Sequence, residues 1–378
     1  MYRKALSVFL IICIGAACLL SGCNKTDEVT KPTPIITPKE QGYTNSSSVP
    51  TTVSDNTDYG TDVTVTPETD PTGAEPGPSA EPTDEPTAEP TAEPTAEPTV
   101  TPDPTKAPSP VEYKGSIDVP SDITDPIERM EYIRSGLIAN ADYYNSLDNY
   151  NNQTWCFKRM KDHSQSGSYE SFRIADYNSC YIDTNVSDND KVIYLTFDCG
   201  YPSELTPKIL DTLAAHNVKA NFFVTKMYLQ GCPDYARRMV AEGHAVCNHT
   251  VNHEDLTNMS VEKIASEIID VAEYFYEITG TEFAPYFRTP TGAYTKRLLS
   301  IIRDAGYKTV FWSIAYGDYD KNNQPKPGYV TDHFTTYHHN GAIALMHNDS
   351  TSNANELDAV LTLLENAGYR FALLSELK

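Results

Sequence analysis

The chain has 378 residues, a net charge of −23, and 39% hydrophobic residues. That acidity, with no Lys/Arg-rich block, excludes nucleic acid as a partner and excludes electrostatic adhesion to anionic lipid. The length would allow several domains, but residues 24–111 hold sixteen acidic and four basic residues and few large apolar side chains, too little to offset the entropy of ordering.

In chain order, Arg3 and Lys4 form a positive start, and Ala5 to Leu20 form an apolar run. A membrane-spanning helix needs about 20 such residues, so the run reads as an export signal. The following Leu20-Ser21-Gly22-Cys23 is similar to a bacterial lipobox. Residues 1–22 are therefore expected to be a lipoprotein signal peptide, with Cys23 acylated as the mature N-terminus. The expected location is the extracytoplasmic face of the cell membrane, held by a lipid anchor.

Residues 23–112 read as a disordered linker rich in Pro, Thr and Glu. Within it Pro82, Pro86, Pro90, Pro94 and Pro98 recur in register. Regular prolines favour extended polyproline II, and the repeated glutamates repel one another. Such a coil averages about 50 Å end to end, a reach suited to a thick wall.

Residues 113–190 are expected to be a helical and irregular lead-in. A helix is predicted over 125–145, with Asp125 as N-cap and Pro126 at the first helical position. Five cysteines remain beyond Cys23, namely Cys156, Cys180, Cys199, Cys232 and Cys247. An odd number cannot pair completely within one chain.

From 191 to 378 strand-like and helix-like segments alternate. Strands are predicted at Val192–Phe197, Ala220–Val224, His244–Cys247, Ala284–Phe287, Thr309–Ser313, Ala342–Met346 and Arg370–Leu374. Between most of them lie helices such as Pro207–His216, Val261–Thr279, Thr295–Ala305 and Asn353–Ala367. Gly243, Gly280, Gly306 and Gly368 end four helical segments. The alternation implies an α/β fold with parallel strands. No G-x-G-x-x-G follows the first strand, so a barrel fits better than a dinucleotide-binding sheet.

Chemistry-bearing residues then fall at the C-terminal ends of successive strands, where parallel barrels build active sites. Asp198 follows the first strand, His249 and His253 the third, Arg288 the fourth, Asp318 the fifth and His347 the sixth. Each alone is more often structural; their coincidence on one face is not. If His249 to His253 form a helical turn, both imidazoles share a face and can converge on a zinc-like ion. Asp198 is a carboxylate able to take a proton from water, and His347 can protonate a leaving group near neutral pH.

Taken together, Thr196-Phe197-Asp198-Cys199-Gly200, His249-Thr250-Val251-Asn252-His253, Arg288-Thr289-Pro290-Thr291-Gly292, Asp318-Tyr319 and Leu345-Met346-His347 resemble, in order, the motifs of the polysaccharide deacetylases. This is carbohydrate esterase family four, with its NodB-like domain. The resemblance implies a distorted (β/α)7 barrel and a divalent metal, read as zinc, on His249 and His253. It implies Asp198 as general base steadied by Arg288, and His347 as general acid tuned by Asp318. It also places a backbone N–H near Thr291 at the oxyanion and Leu345 against the acetyl methyl.

Tyr194 to Tyr201, Val310-Phe311-Trp312-Ser313 and Trp155-Cys156-Phe157-Lys158 look most like the muramic-acid (delta-lactam) branch. Departures are Cys199, where the general family carries a metal-binding Asp, and Thr291 and Pro202, where that branch carries Arg and Glu. Cys199 is expected not to be a primary ligand. The implied activity is metal-assisted removal of N-acetyl groups from muramic acid or glucosamine residues of peptidoglycan, by a monomer reaching into the cell wall. The alternatives are an O-acetyl esterase on xylan-type polysaccharide and a non-catalytic wall-binding module. Keeping Asp198, Arg288, Asp318 and His347 together disfavours the module, because binding needs no acid/base pair.

Overall fold

The computed structural model describes residues 117–149 and 153–377. Cys23, the signal segment and the Pro/Thr/Glu-rich linker lie outside the described residues. The lead-in begins with helix α1, Pro126–Ala139, whose N-cap Asp125 accepts from the backbone of Ile127 and Glu128 at 2.9 and 3.0 Å. The single helix expected over 125–145 is instead two. Asn140, a poor helix former at φ −94° and ψ 9°, separates α1 from α2, Ala141–Ser146. Strand β1, Gln153–Thr154, and strand β2, Ser179–Cys180, complete the lead-in.

The main alternation follows as strand β3, Val192–Cys199; helix α3, Thr206–Ala215; strand β4, Asn221–Val224; helix α4, Lys226–Gly231; helix α5, Pro233–Ala241; and strand β5, Ala245–Asn248. Helix α6, Val261–Thr279, strand β6, Ala284–Phe287, strand β7, Ala293–Tyr294, helix α7, Lys296–Asp304, and strand β8, Lys308–Val310, come next. The chain ends with helix α8, Tyr329–Tyr337, strand β9, Ala342–His347, helix α9, Thr351–Asn366, and strand β10, Arg370–Phe371. Gly243, Gly280, Gly306 and Gly368 sit at positive φ just past α5, α6, α7 and α9, a backbone conformation that side chains with a Cβ resist.

All seven strands expected from the sequence join one parallel sheet, in the order β10-β3-β4-β5-β6-β8, with β9 on β3. The lead-in adds β2 in parallel beside β8, while β1 pairs antiparallel with β7. The sheet curls into a barrel. Its ends meet where the segment after β8 bonds to β9, through Ser313 N to Ile343 O and Leu345 N to Ile314 O, each 2.9 Å.

Alternation along β3 divides the core in two. Ile193, Leu195, Phe197 and Cys199 pack outward under the helices, whereas Val192 and Tyr194 fill the barrel with Phe223, Cys247, Val310 and Ile343. The same period sends Asp198 inward at the strand's C-terminal end, on the face opposite Cys199.

Candidate active site

The polar residues at the strand ends surround a cavity of roughly 410 Å³. Its lining includes Asp198, His253, Thr291, Trp312, Leu345 and His347. Asp198 is the penultimate residue of β3 and is 5% exposed. Its Oδ1 accepts from Arg288 Nη1 at 2.7 Å. Burial alone would raise its pKa, but the charges of Arg288, His249 and His347 and the Arg288 hydrogen bond outweigh it, and the carboxyl is lowered.

Arg288 is fully buried at the end of β6. Its Nε donates to Val310 O at 2.9 Å and Nη1 to Thr196 Oγ1 at 2.8 Å, while the guanidinium lies 4.1 Å from the Phe223 ring centre. With its donors so engaged, it fixes one face of Asp198 in a single orientation.

His347 ends β9. Its Nδ1 lies 2.8 Å from Asp318 Oδ1, and its backbone N donates to Asp318 Oδ2 at 2.8 Å. Burial would lower its pKa, but Asp318, Asp198 and Asp349 push it up to about 9. Asp318 is 1% exposed and receives a third bond, from Asn353 Nδ2 at 2.6 Å; Asn353 in turn accepts from Tyr316 Oη at 2.8 Å. Neither Asn353 nor Tyr316 was singled out by its sequence motif, since the pairing spans 35 residues and joins a loop to the first turn of α9.

His249 follows β5. Its Nδ1 sits 2.8 Å from Arg288 O, which accepts only if Nδ1 carries the proton, leaving a lone pair on Nε2. That Nε2 is buried without a hydrogen-bond partner. Asp198 Oδ2 is 3.6 Å away, beyond hydrogen-bond reach, and burial depresses the imidazole to about 4, so the two do not form an ion pair at neutral pH. The His253 ring packs edge-on at 4.8 Å.

The His249–His253 segment is not the helical turn that its spacing suggested. It is a loop with Thr250 at φ 76° and His253 at φ 57°. Backbone bonds hold it so: Thr250 N donates to Asn248 Oδ1, His253 N to Thr250 Oγ1, and Val251 N and Asn252 N both to Glu267 Oε2, each at 3.0 Å. Two imidazoles beside Asp198, one with an unpartnered nitrogen aimed inward, fit a divalent ion with nitrogen ligands. Among the described residues no group of three His, Cys, Asp or Glu side chains forms a ready cage, so waters would complete the coordination. Cys199 takes no part. Its Sγ lies 3.8 Å from Phe197 O, and burial drives the thiol pKa well above its ordinary value. All five described cysteines are free.

The opposite wall rests on the lead-in. Trp155 Nε1 donates to Trp312 O and Trp155 N to Gly292 O, both at 2.8 Å, and the Trp155 ring stacks on Phe311 at 4.6 Å. Thr291 stands at the rim with φ 55°. Leu345, 7% exposed, supplies the apolar floor between Trp312 and His347.

A curled parallel sheet carrying an oppositely tuned carboxylate and imidazole at its strand ends defines an α/β enzyme with an acid/base site rather than a passive binding cleft. Residues 185–310 match the model of the polysaccharide deacetylase family. The peptidoglycan-N-acetylmuramic acid deacetylase PdaA of Bacillus subtilis (strain 168) is 39% identical over 225 residues, covering 59% of this chain and 84% of that protein. A peptidoglycan-N-acetylglucosamine deacetylase of Bacillus cereus is 32% identical over 202 residues, covering 52% of this chain and 92% of that protein. The solved structure of Bacillus subtilis PdaA, described as a family 4 carbohydrate esterase, superposes with a TM-score of 0.58 at 37% identity, over 61% of this chain and 98% of that one. This chain belongs to the polysaccharide deacetylase family.

Proposed function

We propose that the protein hydrolyses N-acetyl groups on muramic acid or glucosamine residues of peptidoglycan, with Asp198 and His347 as its base and acid. The observation that carries this is their placement on one cavity with opposed tuning, the carboxyl lowered and the imidazole raised to about 9. Asp198, ionised and aimed by Arg288, takes a proton from the attacking water. His347, protonated and held by Asp318, delivers a proton to the departing amine as the C–N bond breaks, leaving acetate and a free amino sugar. The backbone N–H at Thr291 is assigned to the developing oxyanion, and Leu345 to the acetyl methyl.

His249 and His253 would hold the divalent metal, with zinc the ion their imidazoles suit. Such an ion supplies Lewis-acid polarisation of the carbonyl and acidification of a bound water. The lipobox motif supports anchoring at the extracytoplasmic face of the cell membrane through Cys23, with the 23–112 segment as the spacer into the wall. In that reading Cys23→Ala releases the protein from membranes; a variant still membrane-bound after alkaline extraction points to an uncleaved helix.

Mass spectrometry of purified wall fragments after incubation with the full chain tests the activity. Loss of acetyl mass from muramic acid or glucosamine residues is the expected result. Acetate released from acetylated xylan but not from peptidoglycan identifies an O-acetyl esterase, and no release from either identifies a binding module.

A further inference from the structure

We propose that Glu267 is a positioning residue for the metal half of the site. The inference rests on the metal reading of His249 and His253. Glu267 lies on the second turn of α6, is 1% exposed, is not part of the cavity lining and makes no hydrogen bond to either histidine. Its carboxylate instead grips the loop between them. Oε2 accepts from Val251 N and Asn252 N at 3.0 Å, Oε1 accepts from Asn252 Nδ2 at 2.9 Å, and Lys263 Nζ stands 3.2 Å from Oε1.

The loop needs such a grip. Thr250 is β-branched and sits at φ 76°, and His253 sits at φ 57°, both in the left-handed region that side chains with a Cβ resist. Such a conformation is costly and persists only where the surroundings over-determine it. The neighbouring Asn248 adds a second tie to the same helix, donating through Nδ2 to Ile268 O at 2.8 Å while its Oδ1 accepts from Thr250 N. With the loop fixed at its base and middle, His253 is delivered 4.8 Å from His249, ring edge to face. The two nitrogens are thus arranged before an ion arrives, and affinity depends on a carboxylate outside the coordination sphere.

Metal titration of the full-length protein, with calorimetry for zinc and visible spectroscopy for cobalt, tests this. Glu267→Gln keeps the shape and a carbonyl acceptor for the two backbone N–H groups, so its zinc affinity should stay within about threefold of wild type. Glu267→Leu removes every acceptor and should weaken zinc about 10- to 100-fold and alter the cobalt spectrum. Glu267→Asp withdraws both oxygens by about 1.5 Å and should do the same in a less disruptive way, so it carries the test if the leucine variant does not fold. The metal-free aspartate variant should melt below wild type, because buried N–H donors lose their acceptor. An altered cobalt spectrum in the protein that remains folded is what separates positioning from a merely structural role. Wild-type affinity and an unchanged cobalt spectrum in Glu267→Asp would overturn the proposal. Absence of metal binding in the wild type would instead overturn the metal reading on which it rests.

Discussion

Asp198 and His347 are register partners in the β3–β9 ladder, so the two groups with opposed tuning stand on adjacent strands at the same height in the barrel. Parallel pairing places both at C-terminal strand ends and sends both side chains to the same face. Their division of labour is thereby built into the sheet, and it makes the first test sharp. Asp198→Asn keeps a hydrogen-bond acceptor for Arg288 but no base. Turnover should fall about 10²- to 10⁴-fold, whereas zinc affinity should change little, because the imidazoles are untouched. His249→Ala and His253→Ala should lose both. Turnover above a tenth of wild type in Asp198→Asn would remove the carboxylate from its assigned role.

The pH profile reports the other half of the pair. His347 must be protonated to act as an acid, and its pKa is raised to about 9, so kcat/KM should hold across neutral pH and fall as pH rises through about 9. Asp318→Asn removes the charge responsible, and the alkaline limb should move down toward the ordinary 6.5. Stability carries the same sign. A raised pKa means that the Asp318–His347 pair stabilises the fold fully below about 6.5 and loses that contribution as pH rises through about 9. Thermal melts of wild type and Asp318→Asn should therefore differ most at pH 6 and converge near pH 10. A limb that does not move in the variant would show that another group sets it.

Where order is local, the sequence alone was enough to see it. Val261–Thr279 carries a helical apolar stripe between the Ser260 cap and Gly280, and α6 has those bounds. Asp198, His249, Arg288 and His347 sit at or just past the ends of strands that apolar runs mark, whereas Asp318 lies in the loop eight residues past β8. Long-range contacts were not visible in this way. Helix α8 starts after Gly328 because Glu356, on α9, accepts from Gly328 N and Thr331 N at 2.9 and 3.0 Å, a cap borrowed across 28 residues. The short α4 was missed because six residues hold too few turns for a period to show, while α5 was marked only by the Gly243 that ends it. The loop from His249 to His253 has a spacing compatible with a helix; the contacts that override it come from Asn248 and from Glu267, which is 14 residues further on.

The lead-in is part of the catalytic wall, so its loss should affect chemistry as well as folding. Trp155 is 5% exposed and braces both Trp312 and Gly292. Trp155→Ala should cost about 3–5 kcal/mol and raise KM more than it lowers kcat, because the wall rather than the acid/base pair is disturbed. Denaturant unfolding and steady-state kinetics check both parts. A variant that loses stability with unchanged KM would confine Trp155 to the core.

Gly292 meets that wall from the other side. It has φ 70°, and a Cβ there would stand 2.8 Å from Trp312 Cη2 and 3.1 Å from Trp155 Cβ. Gly292→Ala combines a left-handed backbone with a clash against the Trp312 ring and a tight contact with the Trp155 methylene, and should cost about 1–3 kcal/mol. Because Trp312 lines the cavity, KM should rise as well. Melting temperature and KM measured on the same preparation decide the matter, and an alanine variant unchanged in both would mean that the two tryptophans yield freely.

Cys199 separates two accounts of metal binding. A thiolate is a good zinc ligand at about 2.3 Å, so a cysteine next to Asp198 invites that role. The strand period answers against it. Asp198 faces the cavity, and Cys199 faces the helical layer, fully buried in the cluster that holds Val224, Tyr228 and Cys232. Burial also raises the thiol pKa well above its ordinary value, which disfavours the thiolate a metal would need. Cys199→Ser should therefore keep zinc affinity and most activity while losing about 1–3 kcal/mol of stability, since a hydroxyl replaces a thiol in an apolar site. With cobalt bound, neither wild type nor the variant should show thiolate-to-metal charge-transfer absorbance. A band present in wild type and lost in Cys199→Ser would place sulfur on the ion and require β3 to end in a different twist.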